Sequence, residues 1–327
     1  MQPVNTIYRD LYILWNYVLR RTHKPFMASF KLTYRCNLTC EQCPFHTMAD
    51  SQVLSSGHSR NTPGVLPGGH RDGVARSGCC DPEFDRVIEM MDQMHTRGDR
   101  LVVFEGGEPM LWRDGVHTIH DVVAEARKRF FSVGMTTNGT LPLDVATDVL
   151  WVSIDGMRET HNRLRGGPIF DKVIANIRQS KHPRLYAHIT INSQNAAEVP
   201  ELVRFLAGIV RGITVQFYYP YNHQMDLFLD FDRREKLLEE LIRMKRSGLP
   251  VLNSVIAMRA MQRNRWRCVD YLMDCANPDG SITQGCYLKS REDFDCALCG
   301  FSPHTEISLA HQGSLDAILA GVKIFFS

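Results

Sequence analysis

No run of apolar residues in this chain approaches the roughly 20 that a membrane-spanning helix needs. That excludes a spanning segment as a reading of the sequence. Nor does one sign of charge dominate. Lys and Arg number 38 against 36 Asp and Glu, a formal net charge of +2, which leaves no bulk attraction for nucleic acid. The N-terminus lacks a signal-peptide layout, because Arg9, Asp10 and Asn16 interrupt its apolar residues and no small-residue cleavage site follows. A cytoplasmic location is therefore expected. No internal repeat is visible beyond an alternation of short apolar runs with amphipathic segments. A hydrophobic content of 44% and a charged content of 23% suit a globular chain, and 327 residues suit one large domain or one domain with an appendage.

What is present in unusual measure is cysteine. Ten cysteines fall in three groups. In a reducing compartment, clustered thiols read as metal ligands or catalytic groups before they read as disulfides. The first group stands in "YRCNLTCEQCPF" (34–45), where Cys36, Cys40 and Cys43 have C-x3-C-x2-C spacing. The adjacent Cys79 and Cys80 lie in a Gly-, Ser-, His- and Arg-rich stretch over 46–81, which is expected to be a disordered insertion with both thiols as bystanders. Cys268, Cys275, Cys286, Cys296 and Cys299 lie near the end.

Six apolar runs read as strands: 27–34, 100–109, 131–139, 149–156, 185–192 and 212–221. Between them, 83–98, 116–130, 170–177 and 198–210 carry helical spacing, with Val116 on the buried face of the second. Strand followed by helix, repeated, implies parallel pairing with right-handed crossovers, either as an open doubly wound sheet or as a barrel-like array. Both gather ligands at the carboxyl ends of the strands. Cys36, Gly106-Gly107-Glu108, Asn138, Ser153-Ile154-Asp155 and Asn192 sit at those ends, so one shared site is expected.

A structural zinc site takes four closed ligands. His46 is the nearest fourth here, at no finger spacing. An iron–sulfur cube also takes four thiolates, so three thiols leave one iron open. The C-x3-C-x2-C stretch after the first strand resembles the signature of radical S-adenosylmethionine (SAM) enzymes. "FEGGEP" (104–109), "TTNG" (136–139) and "SIDG" with "THNRLRG" (153–156 and 160–166) are similar to that family's strand-end motifs, in the family's order. The resemblance covers about residues 27 to 221. It implies a partial (βα)6 TIM-like barrel over 27–225, with an amphipathic N-terminal helix in 1–26 and a helical, cysteine-rich extension over 226–327.

The resemblance also implies that Cys36, Cys40 and Cys43 hold a [4Fe-4S] cluster. SAM would fill its fourth position, and a one-electron reductant of flavodoxin or ferredoxin type would feed it. Gly106, Gly107, Glu108, Pro109, Asn138, Ser153, Asp155 and Asn192 would lie around SAM, with the glycines admitting a ligand to the backbone and Glu108 facing its ammonium group. Gln42 departs from the pattern, since the family often has an aromatic residue there. That puts the adenine contact in doubt, and Phe45 is a substitute.

Near the end, "PDGSITQGC" (278–286) and the C-x2-C of Cys296 and Cys299 resemble a shortened SPASM-type extension. Cys268, Cys286, Cys296 and Cys299 would then hold a second [4Fe-4S] cluster, with Cys275 spare and zinc as the rival metal. The substrate is far less legible. A peptide or protein and a lipid or isoprenoid are the two classes considered. Tyr218, Tyr219, Tyr221 and His223 are pocket candidates, although core packing is the plainer account of such residues. The segments at 7–21 and 315–326 are apolar helices that either dock on the barrel or lie in a membrane interface. The alternative to an enzyme is a non-catalytic iron–sulfur or zinc protein on the same barrel.

Overall fold

The computed structural model describes residues 22–45, 81–290 and 294–327, together with Arg9, Tyr12 and Ile13. The expectations for the rest of the N-terminal helix, for His46, Cys79 and Cys80, and for the insertion up to residue 80 lie outside the described residues.

Six parallel strands form where the apolar runs predict them: β1 (Met27–Thr33), β2 (Leu101–Gly106), β3 (Ser132–Thr137), β4 (Val149–Ser153), β5 (Leu185–Ile191) and β6 (Gly212–Phe217). Each alternates with period two. On β1, Ala28, Phe30 and Leu32 join the main core beneath the helices, while Ser29 and Lys31 lie on the other face. Ser29, Glu105, Thr136, Ser153, His188 and Thr214, one from each strand, line a single cavity. A flat sheet cannot bring its first and sixth strands to one cavity. The sheet is therefore curved into a partial barrel.

The extension adds to this same sheet. Two further strands, β7 (Met273–Ala276) and β8 (Ile282–Gln284), give the order β8-β7-β1-β2-β3-β4-β5-β6. β7 runs parallel to β1, pairing Met27 with Met273 through Phe30 with Ala276, and β8 turns back antiparallel. No alternation marks these two strands in sequence; only the Asp279-Gly280 turn between them does, with Gly280 at φ +86°. At the far edge, Asn253 takes the place of a neighbouring strand. Its side chain accepts from Val215 N at 2.8 Å and donates to Val215 O at 3.0 Å, which blunts an edge that would otherwise pair with another chain.

Helices cover the outer face: α1 (Phe84–Arg97), α2 (Ile119–Ala126), α3 (Arg158–Arg165), α4 (Phe170–Gln179) and α5 (Val199–Leu206). α2 is shorter than its periodicity suggests. Thr118 and Asp121 form a capping box that starts it at Ile119. Val116 lies outside, 89% exposed, in the turn of a small hairpin pairing Arg113–Asp114 with His117–Thr118. The sequence carries no apolar stripe for α3, which starts at Arg158, runs through "THNRLRG" and ends at the left-handed Gly166.

Beyond β6 come α6 (Phe231–Arg246), α7 (Val255–Gln262), α8 (Ser302–His311) and α9 (Leu315–Phe325). α9 lies across the amino ends of the strands. Its Ile324 packs with Val149, Trp151, Tyr186 and Leu252, and the Phe325 carbonyl accepts from Ser132 Oγ at 3.1 Å. The three described residues of the N-terminal segment sit at this same end. Arg9 lies over the Phe326 ring at 4.2 Å, and Tyr12 meets Phe131 edge-on at 5.5 Å. Among the described residues no helix is long and apolar enough to cross a membrane.

Candidate active site

The thiol loop leaves β1 at Thr33 and is held by the end of β2. Gly107 N donates to Thr33 O at 2.7 Å, and Glu108 N to Arg35 O at 2.8 Å. A Cβ on Gly107 would stand 2.1 Å from Arg35 O, and one on Gly106 2.3 Å from Thr33 O. The two glycines thus admit the protein's own cysteine loop, and they line the cavity from that position. Asp81 fastens the loop from below, accepting from Thr33 Oγ1 at 2.6 Å and Arg35 Nε at 2.7 Å.

Cys36, Cys40 and Cys43 all line the cavity. Burial pushes the Cys36 thiol up to about 12, and Cys40, Glu108 and Cys43 add to the shift. Burial raises Cys40 as well, opposed by Arg165. Two of the three thiols thus stand where a thiolate is costly, which suits a bound cation, since a coordinating metal deprotonates its thiols outright. Among the described residues no three Cys, His, Asp or Glu side chains stand at a common metal-holding geometry. The fit to a cluster therefore rests on the donor set, on its placement in one loop and on the shared cavity.

A polar network joins this loop to β4 and β5. Asp155 is fully buried. It accepts from Gln42 Nε2 at 2.7 Å and from Thr190 N at 2.9 Å, and it pairs with Arg165 Nη2 at 2.5 Å. Arg165 also reaches Cys40 Sγ at 3.9 Å. Gln42 Oε1 accepts from Asn192 Nδ2 at 2.6 Å. Asn192 Oδ1 accepts from Gln194 N and Asn195 N at 2.9 and 3.1 Å. Gln42, the departure from the aromatic pattern, is therefore the link between the thiol loop and two strand ends. Phe45 lines the cavity and stacks on Tyr34 at 5.6 Å.

Glu108 does not face the cavity. It is fully buried and accepts from Asn138 N at 2.7 Å, Thr137 Oγ1 at 2.8 Å and Met110 N at 3.1 Å. Burial raises its carboxyl despite these donors. Its role in this structure is to brace β2 against β3. Of the residues expected around SAM, Gly106, Gly107, Asn138 and Ser153 line the cavity. Glu108, Pro109, Asp155 and Asn192 are buried, the two acids and Asn192 supporting the strand ends. Asn138 holds the loop, donating to Asn37 Oδ1 at 2.8 Å with Cys36 Sγ at 3.9 Å.

Sequence reasoning assigned no role to Arg165, although "THNRLRG" contains it, or to the inward polar residues of β1, β2, β5 and β6. Lys31 is 1% exposed, donates to Ser29 Oγ at 3.1 Å and lies 3.6 Å from Glu105. His188 is bonded to Thr214 Oγ1 at 2.9 Å, and burial pulls its imidazole down to about 4. Period-two alternation was the available signal: a lysine and a histidine on the inner face of central strands. Tyr218, Tyr219 and Tyr221 line the cavity and pack with Leu227, Leu288 and Phe301. His223 lies in the turn that follows and is not part of the cavity wall.

Near the end of the chain, Cys268 and Cys296 are exposed, Cys286 and Cys299 half-buried, and Cys275 buried. Burial pushes Cys286 up to about 12, and Cys299, Cys275 and Cys268 add to the shift. Cys275 stands on β7, donates to Gly285 O at 3.3 Å and lines the barrel cavity. Arg234 fixes the C-x2-C loop, donating to Cys299 O at 3.1 Å and Leu229 O at 2.9 Å while lying over Phe217 at 4.5 Å.

Residues 30–206, more than half of the chain, match the model of the Radical SAM superfamily, and the chain belongs to that superfamily. Among curated relatives, the chain is similar to Fe-coproporphyrin III synthase of Methanosarcina barkeri, 25% identical over 56% of this chain and 41% of that protein. It is similar also to the sporulation killing factor maturation protein SkfB of Bacillus subtilis, 25% identical over 57% of this chain and 41% of that one. The chain thus spans less than half the length of these relatives. By fold it is similar to Streptococcus suis SuiB bound to S-adenosylmethionine, at TM-score 0.60 and 12% identity, covering 98% of this chain and 70% of SuiB. It is similar also to anSMEcpe with bound AdoMet, at TM-score 0.57 and 16% identity, covering 93% and 81%. The cofactors of the superfamily are a [4Fe-4S] cluster and SAM.

Proposed function

We propose that the chain is a radical SAM enzyme in which Cys36, Cys40 and Cys43 hold the [4Fe-4S] cluster and SAM lies against Gly106, Gly107, Asn138 and Ser153. The observation that carries this reading is the gathering of three half-buried thiols and those strand ends on one cavity. When bound, the cluster supplies the electron that splits SAM into methionine and a 5′-deoxyadenosyl radical. The chain's own residues hold the loop in place. Glu108 fixes the ends of β2 and β3, and Gln42 and Arg165 tie the loop to Asp155. Burial beneath the loop keeps water from a reactive group.

The electron comes from a flavodoxin- or ferredoxin-type partner in a reducing cytoplasm. Cys268, Cys286, Cys296 and Cys299 are the ligand set of a second metal centre. Burial raises the Cys299 thiol, and the Arg234 guanidinium beside it opposes that shift. Cys40→Ala, reconstituted without oxygen and reduced with dithionite, is expected to form no 5′-deoxyadenosine while keeping the wild-type circular dichroism spectrum. Undiminished deoxyadenosine would refute the assignment. Zinc in place of iron and sulfide in the purified wild-type chain would favour the non-catalytic alternative.

A further inference from the structure

We infer that the substrate is a single-chain amphiphile, its polar end beneath the thiol loop and its apolar chain running down the barrel to α9. This rests on the radical SAM reading of the upper site. The cavity of about 490 Å³, whose upper part is the proposed SAM site, extends from Cys36 and Cys40 past the inner faces of the strands to the last helix.

Its walls change character along the way. Near the middle stand Ser29, Glu105, His188 and His304. His304 Nδ1 is buried without a hydrogen-bond partner among the described residues, although the ring lines the cavity. A ligand polar group would satisfy it. Toward α9 the wall is Val103, Met273, Ile307, Ile318, Ile324 and Phe325. Asn253 and Glu306 also reach the cavity, but both are already engaged: Asn253 with the backbone of Val215, and Glu306 with Ser254 N and Oγ, each at 2.7 Å.

A peptide main chain drawn into this part would leave its N–H and C=O groups unpaired, which is costly. A hydrocarbon chain carries no such demand, and burying it there is favourable.

Gly321 supplies an independent observation. It lies inside α9, where glycine weakens a helix. It shares a helical stripe with Ala317, Ile318, Ile324 and Phe325, all cavity-lining. A Cβ built on it meets nothing within 4 Å. No close approach of backbone requires this glycine, and its effect is to leave room.

The test uses cis-parinaric acid, whose fluorescence rises in apolar sites, titrated into the reconstituted full chain. Saturable binding is expected, with displacement by unlabelled palmitate or by geranylgeraniol. Displacement by either supports the proposal and tells a straight from an isoprenoid chain. Gly321→Phe, which fills the open space, should weaken parinarate binding by about tenfold or more while SAM binding by equilibrium dialysis stays at the wild-type level. Ala310→Leu, on the facing helix, is the second blocking variant. Absence of saturable binding in the wild-type chain, or wild-type affinity in both folded variants, overturns the proposal. Failure of the radical SAM reading would show separately, as no deoxyadenosine from a chain that still binds parinarate.

Discussion

Single atoms decide the thiol loop. The Arg35 carbonyl passes 2.1 Å from where a Gly107 Cβ would stand, a separation between backbone and side chain that no rotamer relieves. Gly107→Ala is expected to displace the loop and to lower iron and sulfide content after anaerobic reconstitution, read by iron and sulfide analysis. Arg165 is a second such position. It faces the buried carboxylate of Asp155 and the Cys40 sulfur together, and removing one partner of a buried ion pair leaves the other charge uncompensated. Arg165→Met should destabilise the fold by about 3–5 kcal/mol, read from urea unfolding. A wild-type midpoint would show that Asp155 is held by Gln42 and Thr190 alone. Gly106-Gly107 and the cysteines were legible as motifs. The inward turn of Glu108 was not, because a sequence shows that a carboxylate stands at a strand end without showing which way it points.

At the level of elements, α8 and α7 are joined through one carboxyl. Glu306 of α8 accepts from Ser254 N and Oγ at the start of α7, and burial raises it to about 7. The folded value lies above the ordinary 4.5, so this contribution to stability is complete below about pH 4.5 and is lost as pH rises through about 7. The melting temperature of the wild type relative to Glu306→Gln should therefore fall as pH rises from 4.5 to 7. An unchanged slope in the variant would place that pH dependence elsewhere. The six strands of the barrel were readable because each is a short apolar run closed by glycine or polar residues. β7 and β8 were not, since β7 pairs with β1 some 240 positions earlier in the chain and β8 pairs only with β7, and nothing local signals either strand.

The molecule as a whole encloses several imidazoles that must stay neutral. Burial pulls His161 down to about 3, and His188 and His304 to about 4 each. Unfolding exposes them to solvent, where they take up protons near pH 6.5. Their stability contribution is present above that value and is lost as pH falls toward the folded values. Burial raises the carboxyls of Asp99, Glu108 and Glu306, which act in the opposite sense, so the effect of one ring is read by difference. The urea midpoint of the wild type relative to His188→Gln should fall as pH drops from 6.5 to 4. A constant difference would mean that this ring is hydrated in the native state. This enclosure also gives the barrel its two interior zones, polar beneath the thiols and apolar toward α9.

The sequence by itself determined the parallel six-stranded core, the three-thiol donor set and the strand ends that surround it. Those features depend on local pattern: period-two burial, glycine where the backbone must approach, and thiols close along the chain. Only the tertiary structure decided that Gln42 bridges Asp155 and Asn192, that Glu108 braces two strands from within, and that the last helix closes one end of the barrel. Each of these depends on contacts between residues far apart in sequence, whose geometry is set by the curvature of the sheet and by the need of every buried polar atom for a partner.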